Sequence, residues 1–231
     1  MEDLIKGLET FGITPTNEMC AHFSAYEKLL LEWNEKMNLT AITAHDEVIN
    51  KHFVDSISFQ SLIPEGALLA DVGTGAGFPG LPLKIVRPDI KVTLIDALRK
   101  RLTFLDTVIA DLGLSGVETA HMRAEDAGHS TMRETFDVVT ARAVANLPVL
   151  CEYCLPLVKK GGVFLALKGR EGAEEAKKAE KAVKILGGEI AEIRAVSWQD
   201  MEHVVVAVRK VGQTPSKYPR KAGKPQKSPI S

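Results

Sequence analysis

The chain has 231 residues, 45% of them hydrophobic, with 29 Lys and Arg against 30 Asp and Glu. That length and apolar content suit one α/β domain with some appended structure, and exclude a disordered chain. No run approaches the roughly 18 to 20 consecutive apolar residues of a membrane helix, and the 3 cysteines are too few to frame a disulfide scaffold of this size. The opening residues MEDLIKGLET lack the basic-then-apolar layout of a secretory signal, so a cytosolic protein without membrane contact is expected.

Along the chain, Met19, Phe23, Tyr26, Leu30, Trp33 and Met37 recur at helical spacing, which predicts a long amphipathic helix starting near Thr16. A second apolar-periodic stretch, HDEVINKHFVDSISFQSLI, carries Val48, His52 and Ile57 and ends before Pro64 and Gly66. Residues 1–65 thus read as a helical cap. From Ala67 the pattern changes to short apolar runs, ALLADV, KVTLID, VETAH, FDVVTAR and GVFLALK, separated by helical segments such as GLPLKIV and RKRLTFLDTVIADLG. Strands buried on both faces and joined by helical crossovers produce this alternation, which predicts a doubly wound parallel sheet over residues 66–210. Two late runs, GGEIAEIRAV and EHVVVAVRK, have too short a connection for a crossover and are expected to pair as an antiparallel edge hairpin.

Cys151 and Cys154 form C-x-x-C, the spacing of a redox pair or half a zinc site. No second Cys/His cluster accompanies them and their surroundings, NLPVLCEYCLPLV, are apolar, so they are read as core residues and no metal is expected. Residues 209–231 hold seven Lys and Arg and no acid, so an acidic body carries a basic tail, 211–231.

Ligands of open α/β sheets bind beyond the carboxyl ends of the strands, which directs attention to Gly73, Gly75 and Gly77 after LLADV. Two cofactors fit. Gly75, Gly77 and Gly80 spell the dinucleotide fingerprint G-x-G-x-x-G, a weak signal when alone. Against it stand Asp71 beside the loop, which suits an ammonium better than a pyrophosphate, Pro79 in the segment that would donate to phosphate, and the late hairpin. The pattern Asp71-x-Gly73-x-Gly75-x-Gly77, the acid Asp96 ending the next strand, and the hairpin together resemble class I S-adenosylmethionine-dependent methyltransferases, which have a Rossmann-like sheet. Asp96 also suits the ribose of NAD, or a plain helix cap. RAED, Arg123 to Asp126, stands where that class reads adenine.

Over nearly its full length the chain is similar to one family. LLEWNEKMNLTAIT, KHFVDSI, DVGTGAGFPGLPL, TARAVANLPVL, LALKG and the tail KYPRKAGKPQKSPI resemble the bacterial 16S ribosomal RNA guanine-N7 methyltransferases of the RsmG, or GidB, family. The resemblance implies S-adenosyl-L-methionine as cofactor, held at Asp71, Gly73, Gly75, Gly77, Phe78, Ala124, Glu125 and Arg142 with Asp96 at the ribose, and transfer to N7 of one guanosine in 16S rRNA or the 30S subunit. Phe78 has an independent rationale, since an aromatic face attracts a sulfonium. N7 of guanine carries a free lone pair, so no catalytic base is expected, and none stands out; Arg142 and Lys168 are expected to position RNA. Lys100, Arg101, Arg123, Lys168, Lys217, Arg220, Lys221, Lys224 and Lys227 form the expected RNA surface, with Tyr218 available to stack on a base. Without an extended heptad or a spare apolar face, a monomer is expected.

Overall fold

The computed structural model describes residues 1–142 and 145–230. Ala143 and Val144, inside the TARAVANLPVL motif, and Ser231 lie outside the described residues.

The cap opens with α1 (Glu2–Thr10) and α2 (Asn17–Met37). The hydroxyl of Thr16 accepts the amide N–H of Met19 and starts α2, and Asn38, with φ of 50°, ends it in the left-handed region. The expected stripe faces inward, with Phe23, Tyr26 and Leu30 buried and Met19 and Trp33 packed at its ends. Within the expected 1–65 cap, α1 is a helix ahead of the one predicted from Thr16. Leu4 and Leu8, one turn apart, are the buried face of α1, and Gly7 admits Val54 where a Cβ would lie 2.5 Å from its methyl. The second predicted helix is broken: α3 (His45–Val48) passes through a π-helical turn, Ile49–Val54, into α4 (Asp55–Ile57). The wider turn buries every residue it contains except Lys51, and so delivers His52 and Phe53 to the interior together.

The sheet contains β1 (Leu68–Val72), β2 (Lys91–Asp96), β3 (Val117–His121), β4 (Phe136–Arg142), β5 (Val158–Lys168), β6 (Gly188–Trp198) and β7 (Met201–Lys210), in the order β3-β2-β1-β4-β5-β7-β6. The first five strands are parallel, and β7 runs antiparallel to both β5 and β6, so the edge hairpin forms as expected. Crossovers are α5 (Gly80–Val86), α6 (Arg99–Asp111), the short α7 (Ala124–Ala127), α8 (Leu147–Cys154) and α9 (Gly172–Ile185); α10 (Lys224–Lys227) lies in the tail. Among the described residues no helix is long and apolar enough to cross a membrane.

Two cores flank the sheet. On one face Phe23, Tyr26 and Phe53 of the cap join Leu81, Phe104 and Leu105 of α5 and α6. On the other, α8 and α9 pack with Tyr218 and Ile230 of the tail. Cys151 and Cys154 are free, sit in this second core, and have thiols pushed well up by burial. β1 is the switch point, with β2 and β3 to one side and β4 onward to the other, so the loops after β1, β2 and β4 diverge around a cleft.

Candidate active site

At the carboxyl ends of the strands lies a cleft of about 650 Å³, lined by the glycine loop, the ends of β2 and β4, the cap, and Gly223 and Gln226 of the tail. Gly73 (φ 71°) and Gly75 (φ 62°) lie in the left-handed region and form its floor without side chains. A Cβ on Gly75 would meet nothing nearer than 3.9 Å, leaving open space above the loop for a guest.

Asp71 and Gly77 do not line this cleft. Asp71 is 0% exposed beneath the loop. Its carboxylate accepts from the Thr74 hydroxyl (2.7 Å), the Gly80 amide (3.0 Å) and the Thr140 hydroxyl (3.2 Å). Burial pushes its pKa up to about 6 against the lowering pull of those donors. Asp71 therefore holds the loop's shape, where the sequence reading put it against an ammonium. The same contact bears on the dinucleotide alternative: the Gly80 N–H that would meet a pyrophosphate at the start of α5 is taken by a buried carboxylate. Gly77 serves packing, since a Cβ there would lie 2.5 Å from the Tyr26 hydroxyl.

The remaining predicted cofactor residues come together. Asp96, almost fully buried, accepts the amides of Gly75 (3.0 Å) and Leu98 (2.8 Å) and an Nη1–H from Arg101 (3.2 Å). It thus joins the glycine loop to the start of α6 while lining the cleft, so its helix-start and ligand-facing roles coexist. Ala124 and Glu125 line the opposite wall beside Tyr153. Glu125 is buried, not an open loop acid, and accepts the Gly223 amide at 3.0 Å.

Phe78 carries a stack of partners supplied by the cap and the end of β4. His52 lies parallel to it at 4.4 Å between ring centres, Tyr26 stacks at 5.5 Å, and the guanidinium of Arg142 sits 4.9 Å from its centroid. Arg142 donates to Asp55 (3.0 Å) and to the Lys51 carbonyl (3.2 Å), and contacts His52 Nδ1 at 3.2 Å. Burial, reinforced by the Arg142 charge, pushes His52 down to about 4, so the ring is neutral at physiological pH. Thr40, from MNLTAIT, contacts His52 Nε2 at 2.8 Å. Sequence gives Thr40, His52 and Asp55 no role of their own; their one signal is that they lie in MNLTAIT and KHFVDSI, motifs that carry the family resemblance.

The expected RNA cations divide. Lys100, Arg123, Lys217, Lys221, Lys224 and Lys227 are exposed, and Arg101 and Arg123 reach the cleft. Arg220 is committed to Glu152, which is 0% exposed and held at 2.6 Å. Lys168 is engaged by Glu175 and the Ala145 carbonyl, each at 2.9 Å. Tyr218, expected to stack on a base, is buried in the second core, because its ring is the apolar anchor that seats the tail. Lys210 also points inward, to Glu134, Thr214 and two carbonyls. Among the described residues, no group of three or more His, Cys, Asp or Glu side chains gathers as metal ligands.

The cleft fits a cofactor with a cationic end and a nucleoside end. An open glycine floor meets a backbone-bound amino acid, and the buried acids Asp96 and Glu125 can accept from hydroxyl and amine donors. Similarity to known proteins points the same way. A family model described as GidB, rRNA small subunit methyltransferase G, matches residues 19–205. A ribosomal RNA small subunit methyltransferase G from Acetivibrio thermocellus is 50% identical, over 99% of this chain and 96% of its own length. One from Desulfitobacterium hafniense is 52% identical, over 96% and 94%. Among solved structures, a SAM dependent methyltransferase from Aquifex aeolicus shares the fold with a TM-score of 0.55 at 19% identity, over 74% of this chain and 96% of that one. TYW2 of M. jannaschii in complex with AdoMet gives 0.56 at 14% identity, over 74% and 80%.

Proposed function

This chain belongs to the GidB family of ribosomal RNA small subunit methyltransferases G, and from that premise we propose that its cleft binds S-adenosylmethionine and directs methyl transfer to N7 of one guanine in 16S ribosomal RNA. The observation that carries this reading is the open glycine floor at Gly73 and Gly75, with Asp96 and Glu125, in a cleft also walled by the cap residues His52 and Thr40.

When bound, the cofactor supplies an electrophilic methyl on a sulfonium. In this reading Gly73 and Gly75 hold its amino-acid end, Asp96 accepts from the ribose hydroxyls, and Ala124 and Glu125 meet the adenine. Phe78 packs the wall beside that site, with His52, Tyr26 and Arg142 already against its ring. N7 needs no proton removed before it attacks, so the protein works by alignment and exclusion of water. Neutral His52 adds no second cation beside Arg142, in a reaction whose positive charge passes from sulfur to base.

RNA phosphates meet the exposed Lys100, Arg123, Lys217, Lys221, Lys224 and Lys227, with Arg101 and Arg123 reaching the cleft. Arg220 and Lys168 act one step back, by holding the tail and the loop after β4. Action as a monomer in the cytosol, where small subunits assemble, completes the reading.

The test is methyl transfer from labelled S-adenosylmethionine to 30S subunits lacking the modification, with the product mapped chemically. N7-methylguanine at one position of 16S RNA is expected. Folded protein that binds the cofactor yet labels neither subunits nor free 16S RNA would refute the substrate assignment.

A further inference from the structure

We propose that the Thr40 hydroxyl is the donor that recognises O6 of the target guanine, with its direction set by a relay that begins at Arg142. The inference rests on the reading of guanine N7 as methyl acceptor.

The relay follows from counting donors. Arg142 Nη2 lies 3.2 Å from His52 Nδ1. A guanidinium only donates, so Nδ1 accepts and carries no proton. His52 is neutral, and its one ring proton therefore resides on Nε2, 2.8 Å from Thr40 Oγ1. That hydroxyl oxygen accepts from the imidazole and also from the Ile42 amide at 3.0 Å. Both its lone pairs are used. The hydroxyl proton has no acceptor among the described residues, and Thr40, His52 and Arg142 all line the cleft with Phe78. The Thr40 backbone is itself fixed, since its N–H donates to Asn34 Oδ1 at 2.9 Å. The cleft thus presents a neutral O–H donor of defined polarity on a rigid support.

Guanine suits that donor. Its Hoogsteen edge offers two adjacent acceptors, N7 and O6, whereas adenine offers N7 beside an N6 amine that donates. A hydroxyl that must donate can take O6 and leave the N7 lone pair free for the methyl. Adenine would set two donors against each other, so a site built this way rejects it. Thr40 is then a specificity-determining residue, and His52 and Arg142 are positioning residues that prevent its hydroxyl from turning.

The test is a cycle of protein and base. Small subunits are reconstituted with ligated 16S RNA carrying, at the target position, either guanine or 2-aminopurine, which keeps N7 and lacks O6. With wild-type protein, loss of O6 is expected to lower kcat/KM about tenfold, the scale of one hydrogen bond. Thr40→Val is expected to show that loss with guanine and no further loss with 2-aminopurine, while its affinity for S-adenosylmethionine stays at the wild-type value. Thr40→Ser is expected to restore the preference for O6. Independent, multiplying losses, or a wild-type rate indifferent to O6, would overturn the assignment, and the second readout stands even if Thr40→Val fails to fold. If wild-type protein leaves guanine subunits unlabelled, the N7 reading fails first and the O6 contact falls with it.

Discussion

The carboxylate of Asp55 receives the guanidinium of Arg142 at 3.0 Å, joining residues 87 positions apart in sequence. Its other oxygen lies 2.9 Å from His203 Nδ1, so one side chain of the cap ties together β4 and β7. Burial alone would raise the Asp55 pKa, but the His203 hydrogen bond and the Arg142 charge outweigh it and hold the group below the usual value. The cap is thereby fastened to the sheet at the wall of the cleft. Asp55→Ala leaves a largely buried guanidinium without its counter-ion, and is expected to cost about 3 kcal/mol of unfolding free energy in urea. Asp55→Asn, which keeps an acceptor, is expected to cost less.

Asp96→Ala removes the cleft carboxylate nearest the glycine loop. Loss of hydrogen bonds to a charged acceptor corresponds to about 1.5–3 kcal/mol, so the Kd for S-adenosylmethionine should rise roughly 10- to 150-fold by calorimetry. Because Asp96 also holds the Gly75 and Leu98 amides, the melting temperature should fall as well. An unchanged Kd in a folded variant would remove Asp96 from the cofactor site.

Asp71 and His52 act on stability with opposite signs as pH changes. Asp71 has its pKa raised from 3.8 to about 6, so the folded state binds the proton more tightly and stability declines as pH rises through that window. His52 is lowered from 6.5 to about 4, so the unfolded state takes the proton first and stability declines as pH falls from 6.5 toward 4. Asp71→Asn keeps an acceptor for Thr74 and Gly80 and removes only the first effect. Its stability relative to wild type should therefore increase between pH 4 and 6 and level off above, as read from paired urea melts. A difference that is flat across that range would contradict the raised pKa.

The tail contains two kinds of cation, and substitutions should separate them. Arg220→Ala leaves the fully buried Glu152 unpaired, and is expected to cost about 3–5 kcal/mol and to expose the tail amides to hydrogen exchange. Changing Lys221, Lys224 and Lys227 together to Ala should leave the melting temperature within a degree or so. It should instead lower the slope of log Kd against log salt for 16S RNA by roughly two to three.

The parallel sheet, the edge hairpin and the cleft's position were legible because buried parallel strands leave apolar runs, and glycines after the first of them mark a ligand-binding loop. Ala124, Glu125, Phe78 and Arg142 were placed by resemblance, and all four line one cleft. What sequence concealed was direction. Asp71 and Asp96 both follow apolar strand residues, yet one carboxylate turns beneath the loop and the other faces the cleft; register with neighbouring strands decides this, and one chain does not display it. Arg220 and Lys210 read as tail charges because their partners, Glu152 and Glu134, lie far off in sequence. The π-helical turn was hidden too, since a 3.6-residue period cannot announce its own interruption.

The amide of Gly223 that meets Glu125 follows every strand of the sheet in sequence. During synthesis the sheet, the glycine loop and Asp96 therefore leave the ribosome before the segment that completes the cleft wall. A nascent chain stalled after β7 would hold a cleft still open on one side. Closure of the cleft wall at Glu125 thus waits on the segment that carries Gly223.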